Sequence, residues 1–138
     1  SLAKDVSVED APQMILGYTI ANDATARDAM TGGPWSRGKS FDSACPLGPW
    51  ITVDPALDVT NLAIRSYLNG EIAQDSSTAN MIWNPFELVS YVSRQMTLLP
   101  GDVIATGAPA GAGLVQAGDR VEIEIEGIGS LTNPVVRA

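Results

Sequence analysis

Apolar and polar positions alternate most clearly in "RVEIEIEG" (120–127), a period of two that predicts a strand with Glu122, Glu124 and Glu126 facing water. "LAIRSYL" alternates in the same way, and Asn69-Gly70 predicts a tight hairpin into "EIAQD". "YTIAN" reads as a short buried strand, "WITV" as a short strand, "DVIAT" as a strand after the Pro100-Gly101 turn, and "IGSLTNPVV" as a final hairpin arm. Helical spacing is clearest after Asn84. There Asn84 caps, Pro85 occupies the first turn, Glu87 completes a capping box, and Phe86, Val89, Val92, Ser93 and Met96 share a face. A first helix is expected from Ser7 and Asp10 through Ala11, Met14 and Ile15, ending near Gly17. Residues 30–49 are rich in Gly, Pro and Ser and read as an ordered loop. The expected fold is mainly β with short helices, in a single domain over 1–138.

Composition narrows the chemistry. Hydrophobic residues make up 45% and charged residues 17%, a globular balance. No apolar run approaches the ~20 residues that span a bilayer, so no membrane partner is expected. Sixteen acidic against eight basic residues give a formal net charge of −8, which repels phosphate backbones and argues against nucleic acid. There is no histidine, and Cys45 is the single cysteine. Zinc ligand sets are therefore unavailable, and a bound metal would need oxygen ligands, as Mg²⁺ or Mn²⁺ does. "MIW" and Trp50 are most simply core aromatics.

"GPWSRGKS" (33–40) fits the phosphate-loop pattern letter for letter. Such a loop joins a buried strand to a helix whose N-terminus faces the anion. Here "ARDAMTG" precedes it, and Pro46 and Pro49 fall where the helix would run. Nucleotide binding through Gly33–Ser40 is a remote alternative, and the role of Lys39 needs another explanation.

Four stretches together resemble the catalytic domain of the fumarylacetoacetate hydrolase family. They are "GYTIANDATARD", "GKSFDSACPLGPWI", "NGEIAQDSSTANMIWNPFELVSYVSRQMTLLPGDVIATGAPAGAG" and "GDRVEIEIEGIGSLTNPVV". In pattern they are most similar to bacterial acylpyruvase and hydroxyheptadienedioate isomerase members. The resemblance implies a mixed β-sandwich roll in which Mg²⁺ or Mn²⁺ chelates a 2-oxo or β-diketo acid. Reactions in the family are C–C hydrolysis, decarboxylation or isomerisation. It implies that Asp23 is a metal ligand, that Lys39 stands beside metal and substrate, and that Arg27 and Ser43 help shape the substrate site. "GAPAGAG" reads as a binding loop or a flexible connection, and Gly107 and Ala108 fall in its substrate-contacting part.

The chain departs from the family pattern in three places. The Glu-x-Glu pair that completes the metal site lies upstream of the matching region, so an upstream segment is expected to complete it. Ala108 replaces a threonine that binds the substrate carboxylate, and Met30 replaces a glutamine. Both changes make the pocket more apolar and imply a larger or less acidic acyl group. By resemblance the protein would be a cytoplasmic homodimeric enzyme. The alternative is a relative that kept the fold for ligand binding or structure and lost turnover.

Overall fold

The computed structural model describes residues 2–137. Its strands are β1 (Tyr18–Ala21), β2 (Leu47–Thr52), β3 (Ala63–Leu68), β4 (Glu71–Ser77), β5 (Arg120–Ile125) and β6 (Gly129–Pro134). Two α-helical segments stand beside them, the single turn α1 (Ser36–Lys39) and the longer α2 (Pro85–Gln95). The four-stranded sheet runs β4-β3-β5-β6, β1 and β2 form a separate ribbon, and every pairing between these strands is antiparallel. The mainly β fold with short helices is the one the sequence predicts.

Local signals account for the best-placed elements. Asn69 and Gly70 have φ of 54° and 89°, the left-handed pair that a two-residue hairpin needs, and they join β3 to β4. At α2, Asn84 Oδ1 accepts from the amides of Phe86 (2.9 Å) and Glu87 (3.0 Å), while Glu87 Oε2 accepts from the Asn84 amide at 2.7 Å. This closed capping box contributes on the order of 1 kcal/mol. On β5, Glu122 accepts from Ser130 and Arg120 and Glu124 from the Tyr67 hydroxyl, and just past its end Glu126 accepts from the Ala63 amide. The acidic alternation is thus a hydrogen-bonded outer face.

Two apolar clusters hold the molecule. Ile20, Val59, Leu62, Ile128 and Leu131 fill the space between the ribbon and the sheet. Ala3, Val6, Ala11 and Val89 pack the N-terminal segment against α2, and Phe86 touches both clusters. The N-terminal packing is fixed by buried serines. Ser93 Oγ accepts from the Val6 amide at 2.9 Å, and Ser90 Oγ donates to the Val6 carbonyl at 2.8 Å.

Several expectations are corrected. The first helix is only a four-residue 3-10 turn, Ala11–Met14. Ser7 and Asp10 do bond each other, but Pro12 removes a backbone donor, and so short a segment cannot offset the cost of helix nucleation. β2 begins at Leu47, inside the expected loop, and α1 interrupts that loop. "DVIAT" is not a strand: it finds no ladder partner among the described residues, and instead Ile104 packs into the second cluster while Val103 is exposed. Met96 is exposed rather than on the buried face of α2, where Ser90 lies instead. Trp50 and Trp83 are 58% and 43% exposed, and Ile82 is 96% exposed, so none is a core residue.

Candidate metal and substrate site

Past β1 and ahead of β2 the chain stays zipped without regular strand geometry. The Asn22 amide donates to Pro46 O (3.0 Å), that of Ala24 to Ala44 O (3.0 Å), and that of Ala26 to Gly38 O (2.9 Å). Asn22 also donates through its side chain to Asn133 Oδ1 at 3.1 Å, anchoring the segment to β6. On one side of the zip one residue, Thr25, separates Ala24 from Ala26, and on the other side five residues, 39–43, separate Gly38 from Ala44. The excess, 39–43, is forced outward as a loop. Asp23 leaves the end of β1, Lys39 leaves the end of α1, and the Lys39 ammonium donates to the Asp23 carboxylate. The Lys39 side chain is 32% exposed and that of Asp23 50%, so the pair is reachable from solvent.

Gly38 is what allows this approach. A Cβ there would lie 2.7 Å from Ala26 O and 2.3 Å from Met30 Cγ, closer than any side chain tolerates. The Gly-Lys of "GPWSRGKS" therefore serves close packing of α1 on the 3-10 turn Arg27–Met30. The segment before it is that turn and not a buried strand, so the strand–loop–helix frame of a phosphate loop is absent there.

The remaining candidates fall into two places. Arg27 and Met30 begin and end the 3-10 turn. Arg27 is exposed with no hydrogen-bond partner among the described residues, while Met30 is half-buried against Gly38. Ser43 sits in the excess loop at φ 63°, a backbone region rarely used by residues other than Gly, Asn and Asp. Gly107 and Ala108 lie elsewhere, lining a cavity of about 440 Å³ whose wall includes none of Asp23, Arg27, Met30, Lys39 or Ser43. Their loop is held by Gln74, whose amide donates to Pro109 O at 2.6 Å while its Oε1 accepts from buried Ser66 at 2.7 Å. Gln74 had no sequence signal, because both of its partners are distant polar groups.

Asp23 offers a hard oxygen suited to Mg²⁺ or Mn²⁺. No group of three or more His, Cys, Asp or Glu residues suited to a metal exists among the described residues. One carboxylate does not make a chelating site, so the described residues by themselves do not fit the ion.

The sequence pattern described as fumarylacetoacetate (FAA) hydrolase C-terminal matches residues 2–136. The chain belongs to the fumarylacetoacetate hydrolase family. Among solved structures, a 2-hydroxyhepta-2,4-diene-1,7-dioate isomerase from Mycobacterium marinum matches with a TM-score of 0.94 at 50% identity, over 99% of this chain and 54% of that one. A fumarylpyruvate hydrolase from Pseudomonas aeruginosa, in complex with Mn²⁺ and pyruvate, matches with a TM-score of 0.93 at 36% identity, over 100% of this chain and 61% of that one. The 4-hydroxyphenylacetate degradation bifunctional isomerase/decarboxylase of Salmonella dublin is 44% identical over 137 residues, 97% of this chain and 32% of that protein. The named relatives are thus isomerases, hydrolases and decarboxylases. The chain spans about half the length of the curated relatives it matches.

Proposed function

We propose that the chain is the downstream part of a Mg²⁺- or Mn²⁺-dependent enzyme that cleaves a C–C bond of an acylpyruvate-like 2-oxo or β-diketo acid, as a hydrolase or decarboxylase. The observation that carries this reading is the solvent-accessible pairing of Asp23 with Lys39, in a family whose fumarylpyruvate hydrolase holds Mn²⁺ and pyruvate. Asp23 would contribute one metal ligand, and polypeptide outside these residues would contribute the others. Bound there, the ion would supply Lewis-acid stabilisation of the developing enolate oxygen. Lys39 orients the Asp23 carboxylate and presents an ammonium to negative charge building on the substrate. Arg27, exposed and unpaired among the described residues, is available for the substrate carboxylate, with Ser43 in the neighbouring loop. On this reading the working unit is a cytoplasmic homodimer.

A second reading, a fold relative without turnover, is favoured by Ala108 in the loop and by the absence of histidine. The two separate in an absorbance assay of acylpyruvate loss under Mn²⁺, run on the chain alone and on the chain supplemented with the upstream half of a full-length relative. Turnover that Lys39→Met lowers about a hundredfold supports the enzyme. No Mn²⁺-dependent turnover in either preparation supports the fold relative.

A further inference from the structure

The turn between β3 and β4 carries a reactive pair of residues. Of the six asparagines, Asn84 and Asn133 precede proline, while Asn22, Asn61 and Asn80 precede residues with bulkier side chains. Asn69 alone precedes glycine, which leaves the following amide nitrogen unshielded and its backbone free to turn. An asparagine so placed can lose its side-chain amide. The Gly70 nitrogen attacks Asn69 Cγ and gives up its proton, ammonia leaves, and a succinimide ring closes. Water then opens the ring at one carbonyl or the other, giving aspartate or the chain-lengthened isoaspartate. Nothing is oxidised or reduced, and water, the one co-reactant, reaches Asn69 and Gly70 because both are exposed.

The folded hairpin opposes this reaction in two ways. At φ 54° Asn69 is left-handed, and in that region the Gly70 nitrogen is turned away from the Asn69 side chain. The ring cannot close until the residue leaves it. The side chain is also held at both of its ends. Its Nδ2 donates to Asp119 Oδ1 at 2.9 Å, and its Oδ1 accepts from the Arg120 amide at 2.9 Å. The Asn69 backbone amide donates to Arg120 O, again at 2.9 Å. Asp119 is itself fixed, because its Oδ2 accepts from the Gln116 amide at 2.8 Å. Asp119 and Arg120 stand at the start of β5, so this clasp exists only while β3 and β5 are paired.

We propose that Asn69 is a deamidation site masked by the Asp119–Arg120 clasp, which reacts when the end of the hairpin opens. The product cannot rebuild the clasp. Aspartate at 69 sets a carboxylate against the Asp119 carboxylate in place of the lost N–H donor, and like charges so close repel. Isoaspartate adds a backbone carbon to a two-residue turn whose length sets the register of β3 and β4. Loss of ammonia to solvent makes the change one-way. Neither Asp23 nor Lys39 takes part, so the outcome is independent of the oxo-acid reading.

The test ages the purified protein at neutral pH, folded and unfolded in urea, and maps its peptides by mass spectrometry, with isoaspartate counted by enzymatic methylation. In urea Asn69 is expected to convert before the other five asparagines. In the folded protein its conversion is at least about tenfold slower, because the reaction waits for local opening. Asp119→Ala removes the partner of Nδ2 and speeds the folded rate about fivefold while leaving the rate in urea unchanged. Asn69→Asp supplies the product directly, and its amides from Leu68 to Ile72 exchange faster than those of the parent. Equal folded and unfolded rates, or a folded rate that Asp119→Ala does not move, would overturn the masking. No conversion of Asn69 in urea, or another asparagine converting first there, would overturn the site itself. Parent-like exchange in Asn69→Asp would overturn the claim that the product cannot rebuild the clasp.

Discussion

The Lys39 ammonium donates to the Asp23 carboxylate across the mouth of the loop 39–43, joining the end of β1 to the end of α1. Both groups remain open to solvent. A pair in that setting adds little to folding, because water and salt screen it and two side chains lose freedom to form it. Its position, on the segment that Gly38 brings against Ala26, is what the proposed chemistry uses.

Lys39→Met is therefore expected to change stability by less than about 1 kcal/mol in urea unfolding. A larger loss would mean that the pair holds the loop together and is not chiefly a functional contact.

Gln74→Ala should cost more. It removes the bond to Pro109 O and leaves the buried Ser66 hydroxyl without its partner, a loss of about 1–3 kcal/mol. Hydrogen exchange would report the consequence, with faster amides from Gly107 to Gly113 and unchanged protection in β3. Equal protection in parent and variant would show that the loop does not depend on Gln74.

Ser93→Ala leaves the buried Val6 amide without an acceptor and should destabilise by about 1–3 kcal/mol in urea unfolding. Ser93→Thr keeps the hydroxyl but adds a methyl group at a fully buried position, so it should not restore full stability. Parent-like stability of Ser93→Ala would show that the N-terminal segment is not held by this bond.

Asp119 gives a pH dependence with a definite sign. Hydrogen bonds from the Asn69 side-chain amide, first, and from the Gln116 backbone lower its pKa from the ordinary 3.8. A carboxyl whose folded pKa is depressed adds stability above its unfolded pKa, and that stability is lost as pH falls through the folded value. In Asn69→Ala the Asp119 carboxyl should titrate closer to 3.8 by NMR, and the protein should lose less stability on acidification than the parent. An unmoved Asp119 titration would remove Asn69 as the cause.

What the sequence made legible was local. The capping box at Asn84 and Glu87, the Asn69-Gly70 turn and the Glu122–Glu126 alternation each depend on residues within a few positions, and each appears where expected. The misreadings came from elements that depend on distant partners. "DVIAT" has strand composition but no ladder partner among the described residues, and Trp50 donates its indole N–H to Ile128 O while staying largely exposed instead of entering the core. The clamp of Ser90 and Ser93 on Val6 spans more than eighty residues of sequence, and nothing in either stretch announces it. At the candidate site, family resemblance singled out Asp23 and Lys39, and the structure pairs them. Their closeness rests on Gly38, whose missing Cβ the sequence shows only as one glycine among thirteen.

The most direct test of the central claim is a calorimetric titration of Mn²⁺ into the chain combined with the upstream half of a full-length relative, with oxalate present as a chelating mimic of an oxo acid. The account predicts a binding heat that Asp23→Ala abolishes. Binding that survives Asp23→Ala, or none in the parent, would contradict the assignment of Asp23 as a metal ligand in this chain.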